Sequence, residues 1–281
     1  MKGTEVSLRP AWLTIVSCAV LLGGCNPEQK AITIDLPPSP VERRPAPVAT
    51  AVPVPLPPVV RSAPEPTPVG RSVRNRAIRC TVHGDDGETV LILGGIHGNE
   101  PASATLAREL SRRLTRQPGL RSGRRVVIAP AVNPDGLAAN TRYNARGVDL
   151  NRNFETSNWN GARPHGPRPL SEPESRYITG LVRRYRPARI VSIHQPLTCV
   201  DYDGPGRELA EAMSRACDLP VRKLGCRAGS LGSYTGEDLG IPTITLELPA
   251  RATHVSADTL WEEYGRAMLA AVRFSPGHAA K

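Results

Sequence analysis

The C-terminal three-quarters of this 281-residue chain predict an α/β fold, with a mixed, largely parallel central sheet flanked by helices in a single domain. Two observations carry that expectation. Short apolar runs rich in Val, Ile and Leu alternate with longer segments whose apolar residues recur every three or four positions. The first of these runs, LILGGI, also reads as a buried strand that stops at two glycines.

The elements follow in order. ETVLILGGI (88–96) reads as a buried strand, and PASATLARELSRRL (101–114) as a helix with Leu106, Leu110 and Leu114 on one face. RRVVIAPAVNP (124–134) is a second strand. SEPESRYITGLVRRYR (171–186) opens on Ser171 with Glu174 three residues later, the spacing of a capping box, and turns Ile178, Leu181 and Val182 inward. ARIVSIH (188–194) and IPTITLELP (241–249) are strands, GRELAEAMSRAC (206–217) is a helix, and the last helix carries Leu260, Tyr264, Met268, Leu269 and Val272. The stretch 133–170 has few periodic features and many Asn, Gly, Arg and Pro, and loops of that length in compact domains are usually functional.

The N-terminal quarter is different. Lys2 and Arg9 precede the apolar run AWLTIVSCAVLLGGC, too short to span a bilayer comfortably, as in an export signal. Its end, Leu22-Gly23-Gly24-Cys25, resembles the lipobox of bacterial lipoproteins, in which the cysteine is lipidated and becomes the anchoring N-terminus. The other reading is an ordinary signal peptide with an incidental cysteine. Of the 29 prolines, 12 lie between Pro37 and Pro68, a composition that supports an extended tether rather than a core. The expected organisation is therefore residues 1–25 as a lipoprotein signal, 26–70 as a proline-rich tether and 71–281 as the globular domain. The lipobox resemblance implies a cell-envelope location on the periplasmic side, and Asn26 favours the outer membrane.

Composition narrows the partners. The formal net charge is +10, but the arginines are scattered and only two Phe are present to stack bases, so no nucleic-acid partner is expected. The charge suits anionic substrates or an anionic envelope. Within 71–281, Cys80, Cys199, Cys217 and Cys226 contain no C-x-x-C pair, which argues against a cysteine zinc site. In an oxidising compartment they admit three pairings, or buried thiols.

In open α/β sheets, ligands gather beyond the carboxyl ends of the strands. Three such ends carry reactive side chains: the first leads to His97 and Glu100, the second ends on His194 and the third holds Glu247. Two histidines and a glutamate are the protein ligand set of a catalytic zinc with one position left open. Glu247 is a second carboxylate aimed at the same place, suited to moving a proton. Singly these signals are weak, since His-x-x-Glu is common by chance and a lone His194 reads as a core histidine. His83, His165, His254 and His278 lack such placement.

The loop NPDGLAANTRYNARGVDLNRNFE (133–155) joins these pieces. With His-x-x-Glu, a distant His and a late LELP strand, the chain resembles the zinc metallocarboxypeptidase superfamily. Asn-Pro-Asp-Gly, then Thr-Arg, then Gly-Val-Asp-Leu-Asn-Arg-Asn-Phe, with SEPES and HQPLTCVD later, look like its murein peptide amidase and γ-D-glutamyl-meso-diaminopimelate carboxypeptidase branch. The resemblance runs from about Leu91 to the final helix.

It implies one zinc ion held by His97, Glu100 and His194, with Glu247 as general acid/base. Arg142 would stabilise the oxyanion, and Asn151 and Arg152 would hold the carboxylate of the C-terminal residue. Asn151 and Asn153 also admit a turn-forming role. The implied reaction is hydrolysis of the γ-D-glutamyl–diaminopimelate bond of murein peptides. Diaminopimelate has a second amino-acid head, for whose ammonium Asp201 and Asp203 are candidates; Asp203-Gly204 also reads as a simple turn. Two departures from the digestive members stand out. Registering their Gly-Ser turn on Gly229-Ser230 puts Leu224 where they carry a mobile tyrosine, and the proline-rich segment could not fold as their propeptide. The alternatives are a general zinc carboxypeptidase or N-acyl amino acid deacylase on the same scaffold, and a non-catalytic murein-binding lipoprotein.

Overall fold

The computed structural model describes residues 69–277. The lipobox, Cys25, nearly all of the proline-rich segment and His278 lie outside the described residues. The elements in chain order are β1 (Val69–Arg71), β2 (Ala77–Arg79), β3 (Thr81–His83), β4 (Thr89–Leu93), α1 (Pro101–Arg116), β5 (Arg125–Ala129), α2 (Pro134–Ala139), α3 (Pro173–Tyr185), β6 (Arg189–His194), β7 (Leu197–Asp203), α4 (Arg207–Ser214), β8 (Val221–Arg222), β9 (Thr243–Pro249) and α5 (Ala257–Arg273). β1 and β2 form a separate antiparallel ribbon.

The main sheet has seven strands in the order β3-β5-β4-β6-β9-β7-β8. Its centre, β5-β4-β6-β9, is parallel, and β3 and β7 pair antiparallel with β5 and β9. This is the mixed, largely parallel sheet the alternating pattern predicts. Strand period two then divides the apolar residues between two cores. Val90, Ile92, Val126, Ile128, Val191, Ile193, Ile244 and Leu246 pack with α1, α4 and α5. Leu91, Leu93, Val127, Ala129 and Ile190 pack with Ile178, Leu181 and Val182 of α3 and with Phe154 of the long loop. Burial on both faces is the physical reason that TVLIL shows no polar alternation.

On the α3 side, the end of the sheet turns polar. Leu246 and Leu248 point into the first core, so Thr243, Thr245 and Glu247 face the loop side. β7 lies opposite with Cys199 against Glu247, Asp201 against Thr245 and Asp203 against Thr243, so all six side chains share this face.

Four sequence expectations need adjustment. HQPLTCVD, assigned no element from the sequence, is largely the strand β7. α2 and a short 3₁₀ turn (Leu150–Arg152) interrupt the 133–170 stretch. All four cysteines of the domain are thiols, so the disulfide alternative fails. The capping box at Ser171 also fails. α3 begins at Pro173, with Glu172 at the cap position and no capping side-chain bond.

Glu174 is instead fully buried, accepting the Val73 N–H at 3.0 Å and Asn144 Nδ2 at 3.3 Å. Glu172 accepts Asn144 Nδ2 at 2.7 Å, while its own N–H reaches Asn153 Oδ1 at 3.1 Å. These two carboxylates tie the ribbon and the long loop to α3. Glu174→Ala should therefore cost about 2–3 kcal/mol, because it strands buried donors, whereas loss of a helix cap costs about 1 kcal/mol. Chemical denaturation of the two proteins measures the difference.

Candidate metal centre

The first ligand pair is placed by the way the chain leaves β4. Gly94 donates its N–H to the Ala129 carbonyl, and its own carbonyl and that of Gly95 accept from Val132 and Asn133. A Cβ on Gly94 would stand 2.7 Å from the Ser103 carbonyl oxygen, and Gly95 has φ +62°, so both positions require glycine. The turn that follows brings His97 round. Gly98 packs directly on α2, where a Cβ would meet the Gly136 carbonyl carbon at 1.9 Å. Glu100 sits at the cap of α1, with Pro101 as the first helical residue.

His194 comes from the end of β6, the next strand along the same edge, and lies in register with Glu247 of β9. Three side chains converge. His97 Nδ1 is 2.7 Å from Glu100 Oε1, His194 Nδ1 is 2.9 Å from Glu100 Oε2, and the two Nδ1 atoms are 3.1 Å apart. All three residues are buried. Burial alone would raise the Glu100 carboxyl, but His194 and His97 outweigh it and hold it at about 2.

This geometry fits a metal ion. Four-coordinate zinc at about 2.0–2.1 Å from nitrogen separates its ligand atoms by roughly 3.3 Å. The three donor groups lie within 4.8 Å of one another. His97 Nε2 is 3.1 Å from Asp149 Oδ1, which assigns the proton to Nε2 and leaves the Nδ1 lone pair facing His194 and Glu100.

Asp149 is the residue that sequence reasoning missed. It lies in GVDLNRNF, three residues before Arg152. Its Oδ1 also accepts the Asn151 N–H at 2.9 Å, and its Oδ2 accepts Arg142 Nε at 2.9 Å. Burial works against its charge, yet the His97 hydrogen bond, Arg142 and Arg152 together depress its carboxyl well below the usual range. A usable signal existed: a buried histidine ligand requires an acceptor for its second nitrogen, and Asp149 is the acid within the loop motif.

The other candidates divide. Arg142 is at the centre, pinned by Asp149, with Nη1 3.7 Å from Glu100 Oε1 and about a third of its side chain open to solvent. Asn151 and Arg152 follow Asp149 on the 3₁₀ turn; Asn151 Oδ1 accepts the Leu231 N–H at 2.8 Å, and Arg152 is half-buried. Glu247 is 8% exposed, accepts the Leu197 N–H at 3.3 Å, and has its carboxyl pushed up by burial. Asp201 is buried one pleat further along, accepts the Leu224 N–H at 2.8 Å, and is raised to about 6, first by burial. Asp203 is a structural residue. Cys226 Sγ donates to it at 2.9 Å, and Gly232 and Gly236 close over it. Asn153 takes the turn role, with its amide bonded to the His165 and Arg168 carbonyls and to Ser171.

The doubly covered α/β sheet, with a His–Glu–His set at its carboxyl edge and a second carboxylate beside it, defines a single-metal hydrolase. Comparison with known proteins agrees. The zinc carboxypeptidase family model (peptidase M14) matches residues 63–202, which include all three donors and end before Glu247. Murein peptide amidase A of Escherichia coli strain K12 is 38% identical over 212 residues, covering 69% of this chain and 83% of that protein. The crystal structure of the murein-tripeptide amidase of Escherichia coli O157 superposes with a TM-score of 0.61 at 35% identity, over 76% of this chain and 94% of that one. Carboxypeptidase A of Helicoverpa armigera shares the fold, with a TM-score of 0.62 at 21% identity over 73% of this chain and 68% of that one. The chain belongs to the zinc carboxypeptidase family, and its donor set suits the single zinc of that family.

Asp149→Ala should weaken zinc binding about 10–100-fold while leaving the fold intact. Competition against a chromophoric chelator, with circular dichroism as the folding control, checks both halves of that expectation.

Proposed function

We propose that this protein is a zinc amidase that hydrolyses the γ-D-glutamyl–meso-diaminopimelate bond of murein peptides. The observation that carries the reading is the buried His97–Glu100–His194 set beside Glu247 and Arg142, in a chain similar to murein peptide amidase A along most of its length. A bound zinc ion supplies Lewis acidity toward a carbonyl and lowers the pKa of water.

The chain's own groups do the rest. Glu247, kept from solvent and pushed toward its neutral form by burial, is suited to take a proton from the attacking water and pass it to the departing amine. Arg142 directs a fixed positive charge into the cleft, where it can stabilise the oxygen that becomes negative as the carbonyl is attacked. Asp149 holds that guanidinium still, so little reorganisation accompanies the charge development. Arg152 presents a planar donor pair for the terminal carboxylate, and Asn151 lies beside it. Asp201 lies deeper on the same face and is suited to receive the ammonium of the distal diaminopimelate head.

We further propose that the enzyme works in the cell envelope, on the periplasmic side, anchored through a lipid on Cys25 and tethered by residues 26–70. The support is the lipobox sequence and the proline-rich composition. Fatty-acid labelling that persists in Cys25→Ala would contradict it.

The purified protein should release diaminopimelate from L-alanyl-γ-D-glutamyl-diaminopimelate, and chelators should stop the release. Glu247→Gln should lose about 10²–10⁴-fold in kcat with zinc still bound. Wild-type turnover in that variant, followed by mass spectrometry, would show that another group moves the proton. If hippuryl-type substrates are cut faster than murein peptides, the general carboxypeptidase reading replaces this one. The raised pKa of Asp201 adds a pH signature. Its carboxyl gains a proton as pH falls through about 6, so its hold on the ammonium weakens there. KM for the diaminopimelate peptide should therefore rise below pH 6, while KM for an analogue ending in a residue with no side-chain ammonium should not follow it.

A further inference from the structure

Around Arg152 the site holds more positive charge than its own acids answer. Arg142 and Arg152 both act on one carboxylate, Asp149, whose Oδ2 accepts Arg142 Nε at 2.9 Å. Among the described residues, Arg152 makes a single side-chain hydrogen bond, from Nη1 to the carbonyl of its own neighbour Asn151. A third guanidinium is close by. Burial already works against the Arg152 charge, and Arg227 lies near enough to oppose it further, as Arg142 does, while Asp149 favours it. Arg227 is exposed and, among the described residues, has neither a side-chain hydrogen bond nor an ion pair.

The backbone holds Arg227 at this place. The turn 227–230 is closed by the Ser230 N–H on the Arg227 carbonyl at 2.9 Å, and Ser233 Oγ donates to the same carbonyl at 2.8 Å. That turn is laid on the 3₁₀ turn that carries Asn151 and Arg152. Gly229 has φ +68°, and a Cβ there would stand 2.2 Å from the Arg152 carbonyl oxygen. The Gly229 carbonyl accepts the Phe154 N–H at 3.0 Å, and the Leu231 N–H donates to Asn151 Oδ1 at 2.8 Å. Arg227 is thus rooted two residues from a backbone contact with Arg152. Arg152 in turn follows Asp149, the partner of His97, on the same short segment.

Guanidinium groups gathered in this way repel one another, and an arriving anion relieves the repulsion. A carboxylate has two oxygens with about four lone-pair positions, enough for two guanidinium forks at once. Lys223, on the same segment, is already engaged, with Nζ 3.8 Å from Glu237 Oε1 and placed over the Tyr202 ring.

We propose that Arg227 is the second half of the terminal-carboxylate clamp, so that two guanidinium groups, Arg152 and Arg227, receive the free carboxylate of the substrate's C-terminal residue. The proposal rests on the assignment of Arg152 to that carboxylate. It makes selection for a free C-terminus depend on a turn that is remote in sequence from the Asp149–Arg152 motif.

The test uses the zinc-loaded full chain and two substrates: L-alanyl-γ-D-glutamyl-diaminopimelate and the analogue whose C-terminal carboxylate is a carboxamide. Wild type should prefer the acid. Arg227→Ala should raise KM for the acid about tenfold with kcat nearly unchanged, and leave KM for the amide where it was. Arg227→Lys should recover part of the loss, and Arg227→Gln should not. Equal shifts with both substrates, or no shift with the acid, would overturn the assignment. So would a fall in kcat at constant KM, because Arg227 would then act on the chemistry and not on the carboxylate. If Arg152→Ala leaves the preference for the acid intact, the role given to Arg152 fails and the clamp with it. Should wild type cut a hippuryl-type peptide and not the murein peptide, the murein reading falls instead, and the same acid-and-amide comparison on the hippuryl-type peptide decides for or against Arg227.

Discussion

The buried Glu100 carboxylate is the constraint around which the rest of this structure is arranged. A carboxylate removed from water is costly unless it is paired and hydrogen-bonded, and here the pairing comes from histidines on two different segments. Those histidines need orientation in turn. Asp149 supplies it to His97, Arg142 stabilises Asp149, and the 133–172 loop fixes Asp149 through backbone bonds to Asn151 and Pro164. Each polar residue is buried because the next one satisfies it. The outcome is a connected network whose solvent-facing end is Arg142.

The sheet makes this arrangement possible by treating its two faces differently. On the α1–α4–α5 side, alternate residues are apolar along the full length of the central strands, and this side acts as a rigid base. On the α3 side the same strands give way to His194, Glu247, Cys199 and Asp201 near their ends. Period two in the backbone lets a strand such as TITLELP be core and site at once. Tertiary packing of β9 against β6 then sets His194 beside Glu247 with no sequence proximity at all.

Most of the architecture was legible because burial imposes pattern. The central strands and the helices α1, α3, α4 and α5 follow from apolar spacing, and His97, Glu100, His194 and Glu247 from their places at strand ends. What escaped has identifiable causes. β7 runs antiparallel at the sheet's side, and LTCVDYD carries polar residues on one face, so apolar spacing alone assigns it no element. Glu174 matches a capping box in spacing, but a long-range bond to Val73 competes for the same carboxylate. Asp203 looks like a ligand-facing acid until Cys226 and two glycines are found to enclose it, a contact across more than twenty residues that no local signal encodes. Asp149 was hidden in plain view, because its role is to orient a ligand rather than to be one.

A zinc-loaded crystal of the full chain, with anomalous scattering collected at the zinc edge, tests the account at its centre. The prediction is one peak about 2.0–2.2 Å from His97 Nδ1, His194 Nδ1 and a Glu100 oxygen, with Asp149 still hydrogen-bonded to His97 Nε2. The described residues contain one other group able to gather around a metal, Asp203, Cys226 and Glu237. Zinc bound there, with none between the two histidines, would contradict the account.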